Sequence, residues 1–154
     1  MLNFFTKPRN SFGLDISGSS FKIAQLTKKG PNYEMKSYCH TVLPKGLMVN
    51  DAITDTKTFN FLLKQALDKP QAGHINTRNA VVSLPESKSF VRVIQIPVMS
   101  DAEADNAVPF EAENFIPLPL DQVYLDWQKI GQPPDGKMNN LIISSPKAFL
   151  YQYL

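Results

Sequence analysis

Apolar positions along the chain recur first with a period of two, then once with the period of a helix, and then the alternation returns. Phe12 to Ile16, Phe21 to Thr27 and Asn32 to Leu43 have strand character, separated by Ser17-Gly18-Ser19-Ser20 and Lys28-Lys29-Gly30-Pro31. Joints this short and polar, each with a glycine, imply an antiparallel meander. Phe59, Leu62, Leu63, Ala66 and Leu67 then recur at i, i+3, i+4, i+7 and i+8. That stripe predicts a helix starting near Asp55 or Thr56 and ending at Lys69-Pro70. Asn79 to Leu84 is short, apolar and rich in β-branched residues, which reads as a buried strand.

Pro85-Glu86-Ser87-Lys88 looks like a junction, and a second unit follows it. Phe90 to Ile96 predicts a strand, and Ser100 with Glu103 has the spacing of a capping box opening a helix. Ala104, Ala107, Val108, Ala112, Phe115 and Ile116 share one face of that helix. Pro109 removes a backbone donor and should kink or restart the helix near Val108, while Pro117 and Pro119 stop it. Val123, Leu125 and Trp127 alternate with Tyr124, Asp126 and Gln128 in a strand. Met138 to Ser144 makes another, joined through a turn at Gly131 to Gly136, and a last helix begins at Lys147 and runs toward Leu154. The class is α/β (α+β), with no internal repeat.

Composition narrows the functions. In 154 residues with 43% apolar content there is enough material for one ordinary core or two small ones. The net charge of +2 comes from 16 basic and 14 acidic residues dispersed along the chain, which argues against nucleic acid as a partner. Cys39 is the single cysteine, and His40 and His74 are too far apart to form a local metal motif. The opening Met1-Leu2-Asn3-Phe4-Phe5 is too short for a signal core, and no apolar run approaches the roughly 20 residues that span a bilayer. A cytoplasmic protein is expected, with Phe4, Phe5, Lys7 and Arg9 able to brush a membrane surface.

Two stretches invite chemistry. Glu111 and Glu113 sit two apart, about 200° around a helix, so they point to different sides and cannot act on one atom together. The segment Asp15-Ile16-Ser17-Gly18-Ser19-Ser20-Phe21-Lys22 places a carboxylate at a strand end, then a tight Gly/Ser turn, then a lysine. Amide groups in such a turn can form an anion-binding concavity, with Asp15 holding Mg²⁺ through water and Lys22 meeting phosphate oxygens. An ordinary hairpin turn with an exposed Lys22 accounts for the same residues.

Taken together, "FGLDISGSSFKIAQL", "SFVRVIQIPVMSDAEADNAVPFEAENFIPLPLDQVYLDW" and "LIISSPKAFLYQYL" resemble the type IV pilus assembly protein PilM family, an actin-like relative of the cell-division protein FtsA. The most specific part is Phe110 to Trp127. The resemblance implies the N-terminal part of an actin-like fold built from ribonuclease-H-like halves. Residues 1–85 would open subdomain 1A, and residues 86–154 would form an inserted 1C-type subdomain. It further implies that Asp15, Ser17, Gly18, Ser19, Ser20 and Lys22 meet the phosphates of ATP, with Mg²⁺ at Asp15. Because the sequence stops at Leu154, the expectation is a truncated chain lacking the second half, with weak or no ATP binding and no hydrolysis.

The partner implied is the N-terminal cytoplasmic tail of the inner-membrane protein PilN, within a pilus assembly complex at the inner membrane, with self-association also open. Phe90, Arg92, Ile94, Phe110, Leu118 and Leu120 are the residues expected to face that peptide, with Phe115 and Ile116 as core or groove. The alternatives are a working actin-like ATPase, an FtsA-like division protein, and a ribonuclease-H-like nuclease with Asp15 as its first metal carboxylate. Two-metal chemistry needs several converging carboxylates. Neither the first helix's apolar face nor Asn79 to Leu84 supplies one.

Overall fold

The computed structural model describes residues 10–131 and 136–153. Phe4, Phe5, Lys7 and Arg9, and the turn between Gly131 and Gly136, therefore lie wholly or partly outside the described residues. The described residues divide after Pro85 into two compact units.

In the first unit, β1 (Phe12–Ile16), β2 (Ser20–Lys29) and β3 (Asn32–Val42) form the expected antiparallel meander. Short β6 (Ala72–Gly73) and β7 (Ala80–Val82) complete a five-stranded sheet in the order β6-β3-β2-β1-β7. Alternation turns Phe12, Leu14, Phe21, Ile23 and Cys39 toward one face, where they meet α1 (Thr56–Asp68). The Phe59 ring stands edge-on to Phe21 with centroids 5.7 Å apart. Asp55 caps this helix, its Oδ1 accepting from the amides of Lys57 at 3.0 Å and Thr58 at 3.2 Å. Those bonds hold the Asp55 carboxyl below the usual carboxylate range, the Thr58 hydroxyl contributing most.

Between β3 and α1, β4 (Met48–Val49) and β5 (Ala52–Ile53) make a hairpin. Asn50 and Asp51 both take positive φ there, as a two-residue primed turn requires. Gly73 also has positive φ, and a Cβ on it would lie 1.9 Å from the Lys36 carbonyl oxygen, so only glycine fits.

One expectation for this unit changes. The segment Asn79 to Leu84 forms only the three-residue β7, at the edge of the sheet and parallel to β1, with Val81 exposed. A run of β-branched residues marks a strand, but only long-range pairing decides whether it is central.

The second unit is a three-stranded antiparallel sheet in the order β8-β10-β9, from β8 (Phe90–Pro97), β9 (Val123–Gly131) and β10 (Lys137–Pro146). α2 (Asp101–Glu113) packs against the face that carries Ile94, Ile96, Met138, Ile142 and Val123. The capping box forms as expected: the Ser100 amide donates to Glu103 Oε2 at 2.9 Å, and the Glu103 amide donates to Ser100 Oγ at 3.4 Å. These contacts also lower the Glu103 carboxyl from its ordinary value. Trp127 Nε1 on β9 donates to Asp105 Oδ1 at 3.1 Å, tying helix to sheet.

Pro109 does not restart α2, which runs through it to Glu113 and ends at Asn114, before Pro117 is reached. The missing donor leaves the Asp105 carbonyl without its usual partner, and Val108 and Ala112 on either side are fully buried, so packing holds the helix together. Phe115 is corrected too. It lies beyond the helix end and is 41% exposed, whereas Ile116 is buried. After β10, α3 (Lys147–Leu150) is a single turn; Lys147 Nζ donates to the Asp121 carbonyl at 2.7 Å.

Candidate functional sites

The turn between β1 and β2 brings part of the expected phosphate loop together. Register places Asp15 opposite Lys22, and their charged groups sit 3.8 Å apart, both side chains more than half exposed. Ser17 closes the turn on itself: its amide donates to the Ser20 carbonyl at 2.8 Å and its hydroxyl to the same oxygen at 2.9 Å. The Ser19 carbonyl accepts from the Leu43 amide at 2.8 Å, which fixes the turn against the end of β3.

Sequence reasoning missed Ser83. Its hydroxyl donates to Asp15 Oδ1 at 2.7 Å from just beyond β7, a contact across 68 residues that no local spacing announces. Among the described residues the amides of Gly18 and Ser19 have no acceptor, and the space a Cβ on Gly18 would enter is open. Free amides, an open approach, a lysine and a held carboxylate fit the phosphates and Mg²⁺ of a nucleotide. The Ser17 hydroxyl, engaged within the turn, is the poorest fit. No group of three metal-ligating side chains occurs among the described residues, so a two-metal arrangement has no ligand set in them.

The second site lies in the second unit, where β8 begins and α2 ends. The Arg92 guanidinium stacks over the Phe115 ring, 4.1 Å from its centroid. A cavity of about 340 Å³ opens beside them, lined by Glu86, Ser89, Phe90, Arg92, Phe115 and Ile116 among others. Three consecutive features build it. A short 3-10 turn at Glu86–Lys88 delivers the chain into β8, alternation sets Phe90 and Arg92 on the α2 side, and the chain leaving α2 at Asn114 turns the Phe115 ring out over Arg92. No acceptor among the described residues takes a hydrogen bond from the guanidinium, so its planar fork is available to an oxygen of a ligand.

The other residues expected to face a partner separate. Ile94 is core beneath α2, Leu118 and Leu120 are half-buried against the same cluster, and Phe110 stands 73% exposed on α2. The structure therefore joins Phe90 and Arg92 with Phe115 and Ile116 and turns Ile94 away. Two roomier clefts flank α1, of about 730 and 490 Å³, but neither gathers the residues singled out by the sequence. Size alone does not make them the site.

A family model described as type IV pilus assembly protein PilM matches residues 13–147. The chain belongs to the PilM family. Among solved structures it is similar to a chain of the PilM-PilN type IV pilus biogenesis complex, with a TM-score of 0.72 and 23% identity over 95% of this chain and 43% of that one. It is also similar to the cytoplasmic domain of EpsL, an inner membrane component of the type II secretion system of Vibrio cholerae, with a TM-score of 0.54 and 12% identity over 92% of this chain and 49% of that one. At these identities the likeness establishes the fold, and the α/β class with its PilM-like, actin-like architecture stands. The chain spans less than half the length of either protein. No helix among the described residues is long and apolar enough to cross a membrane.

Proposed function

We propose that this PilM-family chain is an adaptor of type IV pilus assembly that works in the cytoplasm, peripheral to the inner membrane, by holding the N-terminal tail of a PilN-like protein. The observation that carries the reading is the Arg92–Phe115 stack at the mouth of a cavity whose walls mix apolar side chains with Glu86, Ser89 and Arg92. A large aromatic left 41% exposed beside a guanidinium with free donors is suited to a peptide: the ring and Ile116 take an apolar side chain, and Arg92 donates to an oxygen. A solved PilM-PilN complex of the same fold supports the choice of partner. In an NMR titration with a synthetic PilN N-terminal peptide, signals of residues 90–92 and 115–116 shift. Shifts confined to residues 15–22 would refute this assignment.

A second reading concerns the β1–β2 turn, where the unbonded amides of Gly18 and Ser19 and the Asp15–Lys22 pair favour nucleotide phosphate. The chain's own part there is to bind: amides and Lys22 meet phosphate oxygens, and Asp15, oriented by Ser83, holds Mg²⁺ through water. Hydrolysis is not part of the proposal. Mg-ATP should perturb the amide signals of Gly18 and Ser19; unchanged signals at millimolar ATP return this segment to a plain hairpin turn.

A further inference from the structure

Among the described residues the outer edge of β8 has no strand beside it. β8 pairs only with β10, in an unbroken antiparallel register from Phe90 opposite Ser144 to Pro97 opposite Lys137. In such a ladder alternate residues direct their N–H and C=O groups away from the partner strand. Among the described residues no backbone group bonds to that outer side, and the one printed side-chain bond from β8, Gln95 Nε2 donating to Asn139 Oδ1 at 3.0 Å, goes to β10.

Two other strands differ from β8 in this respect. Along β3, Gln71 imitates a strand: its Oε1 accepts from the His40 amide at 3.1 Å, and its Nε2 donates to the His40 carbonyl at 3.2 Å, next to the short β6. β9 carries an extra residue at Ile130, where its pairing with β10 shifts register between Asn139 and Asn140. Bulges, charges, prolines and covering groups are the usual protections of an edge strand. β8 has no bulge, one charge at Arg92, and proline only at its last position. Val91 and Val93, on the face away from α2, are 55% and 49% exposed.

We infer that β8 binds an extended, mainly apolar peptide segment as a fourth strand of this sheet, with one of its side chains entering the cavity beside Arg92 and Phe115. This rests on the peptide-binding reading above and adds how the peptide is held. Two independent features select this occupant. A row of unsatisfied backbone donors and acceptors is complementary to another extended backbone. The cavity opens at the Phe90–Arg92 end of the same edge, so a strand laid there brings every second side chain to the α2 side. The apolar neighbours Phe90, Val91 and Val93 disfavour a charged segment, and Arg92 favours an oxygen acceptor at the cavity mouth.

The test uses the full chain and three synthetic peptides of one PilN N-terminal sequence: unmodified, N-methylated at odd residues, and N-methylated at even residues. Side chains are the same in all three, so only backbone pairing differs. One methylated series should bind roughly tenfold or more weakly, because it loses the backbone bonds to β8, while the other retains most of its affinity. Hydrogen exchange at alternate amides of β8 should slow on saturation with the unmodified peptide. Equal affinities for the two methylated series, with β8 exchange unchanged, would overturn strand addition and leave the cleft reading intact. Failure of the unmodified peptide to bind at all would overturn both. Slowed β8 exchange that depends on protein concentration without peptide would assign the edge to a second copy and overturn the proposal.

Discussion

α1 and α2 are both thirteen residues long, both are capped by a side chain at the N-terminus, and both lie on a sheet, yet α1 buries an aromatic beside Ala66 whereas α2 buries only Ala104, Val108 and Ala112. α1 sends Phe59 into the core of its sheet, with Leu62 and Leu63 packed at the margin. α2 buries Ala104, Val108 and Ala112 completely and leaves Phe110 outside, and Phe115 just past its end is half out as well. Small residues let a helix approach its sheet closely. The aromatics are then surplus to the core, and Phe115 is free to stack under Arg92. Placement of bulk thus separates a helix whose stripe is spent on stability from one whose end displays side chains to a ligand.

That contrast can be broken most severely at Phe59. Phe59→Ala removes a ring in edge contact with Phe21 and should destabilise the first unit by about 3 to 5 kcal/mol in denaturant unfolding. An effect under about 1 kcal/mol would mean that α1 is not anchored as described. On α2 the sensitive change is enlargement: Ala112→Leu forces a side chain between helix and sheet and should cost about 1 to 3 kcal/mol. If it is tolerated, the approach is not close.

The caps come next. Ser100→Ala deletes the capping-box hydroxyl and should cost about 1 kcal/mol, read by the same unfolding measurement. Acid probes both helices together. Asp55 and Glu103 have folded values below their ordinary 3.8 and 4.5, so their contribution is present above those ordinary values and is lost as pH falls through the lowered ones. Asp55→Asn and Glu103→Gln should each flatten the acid side of the stability profile. The smallest stability effect belongs to Phe115→Ala, at less than about 1 kcal/mol, because the ring is already half in water. A loss of 3 kcal/mol or more would place that ring in the core after all.

Local spacing was informative wherever the deciding interaction is local. Asp55, the stripe from Phe59 to Leu67, the Ser100–Glu103 box and the Asp15–Lys22 pairing all depend on residues within one element or across one tight turn. Helical periodicity misplaced Phe115 for a definite reason: α2 ends at Glu113, so a residue two positions further no longer follows the 100° step. Ile116 on the same extrapolation is buried, so the wheel was right for one and wrong for its neighbour. The edge positions of β7 and β8 and the Ser83 contact to Asp15 come from pairing across the chain, on which periodicity is silent. The Asn50-Asp51 turn was legible in principle, since Asn and Asp tolerate positive φ, but its flanking strands are only two residues long.

The central claim is that the partner peptide is read at the β8–Phe115 cleft and not at the β1–β2 turn. Calorimetric titration of a PilN N-terminal peptide into the unmodified chain, Arg92→Ala and Lys22→Ala tests it directly. Arg92→Ala should weaken binding at least tenfold, the scale of one charge-assisted hydrogen bond, while Lys22→Ala leaves it within about twofold. A peptide affinity that falls with Lys22→Ala and survives Arg92→Ala would contradict the account.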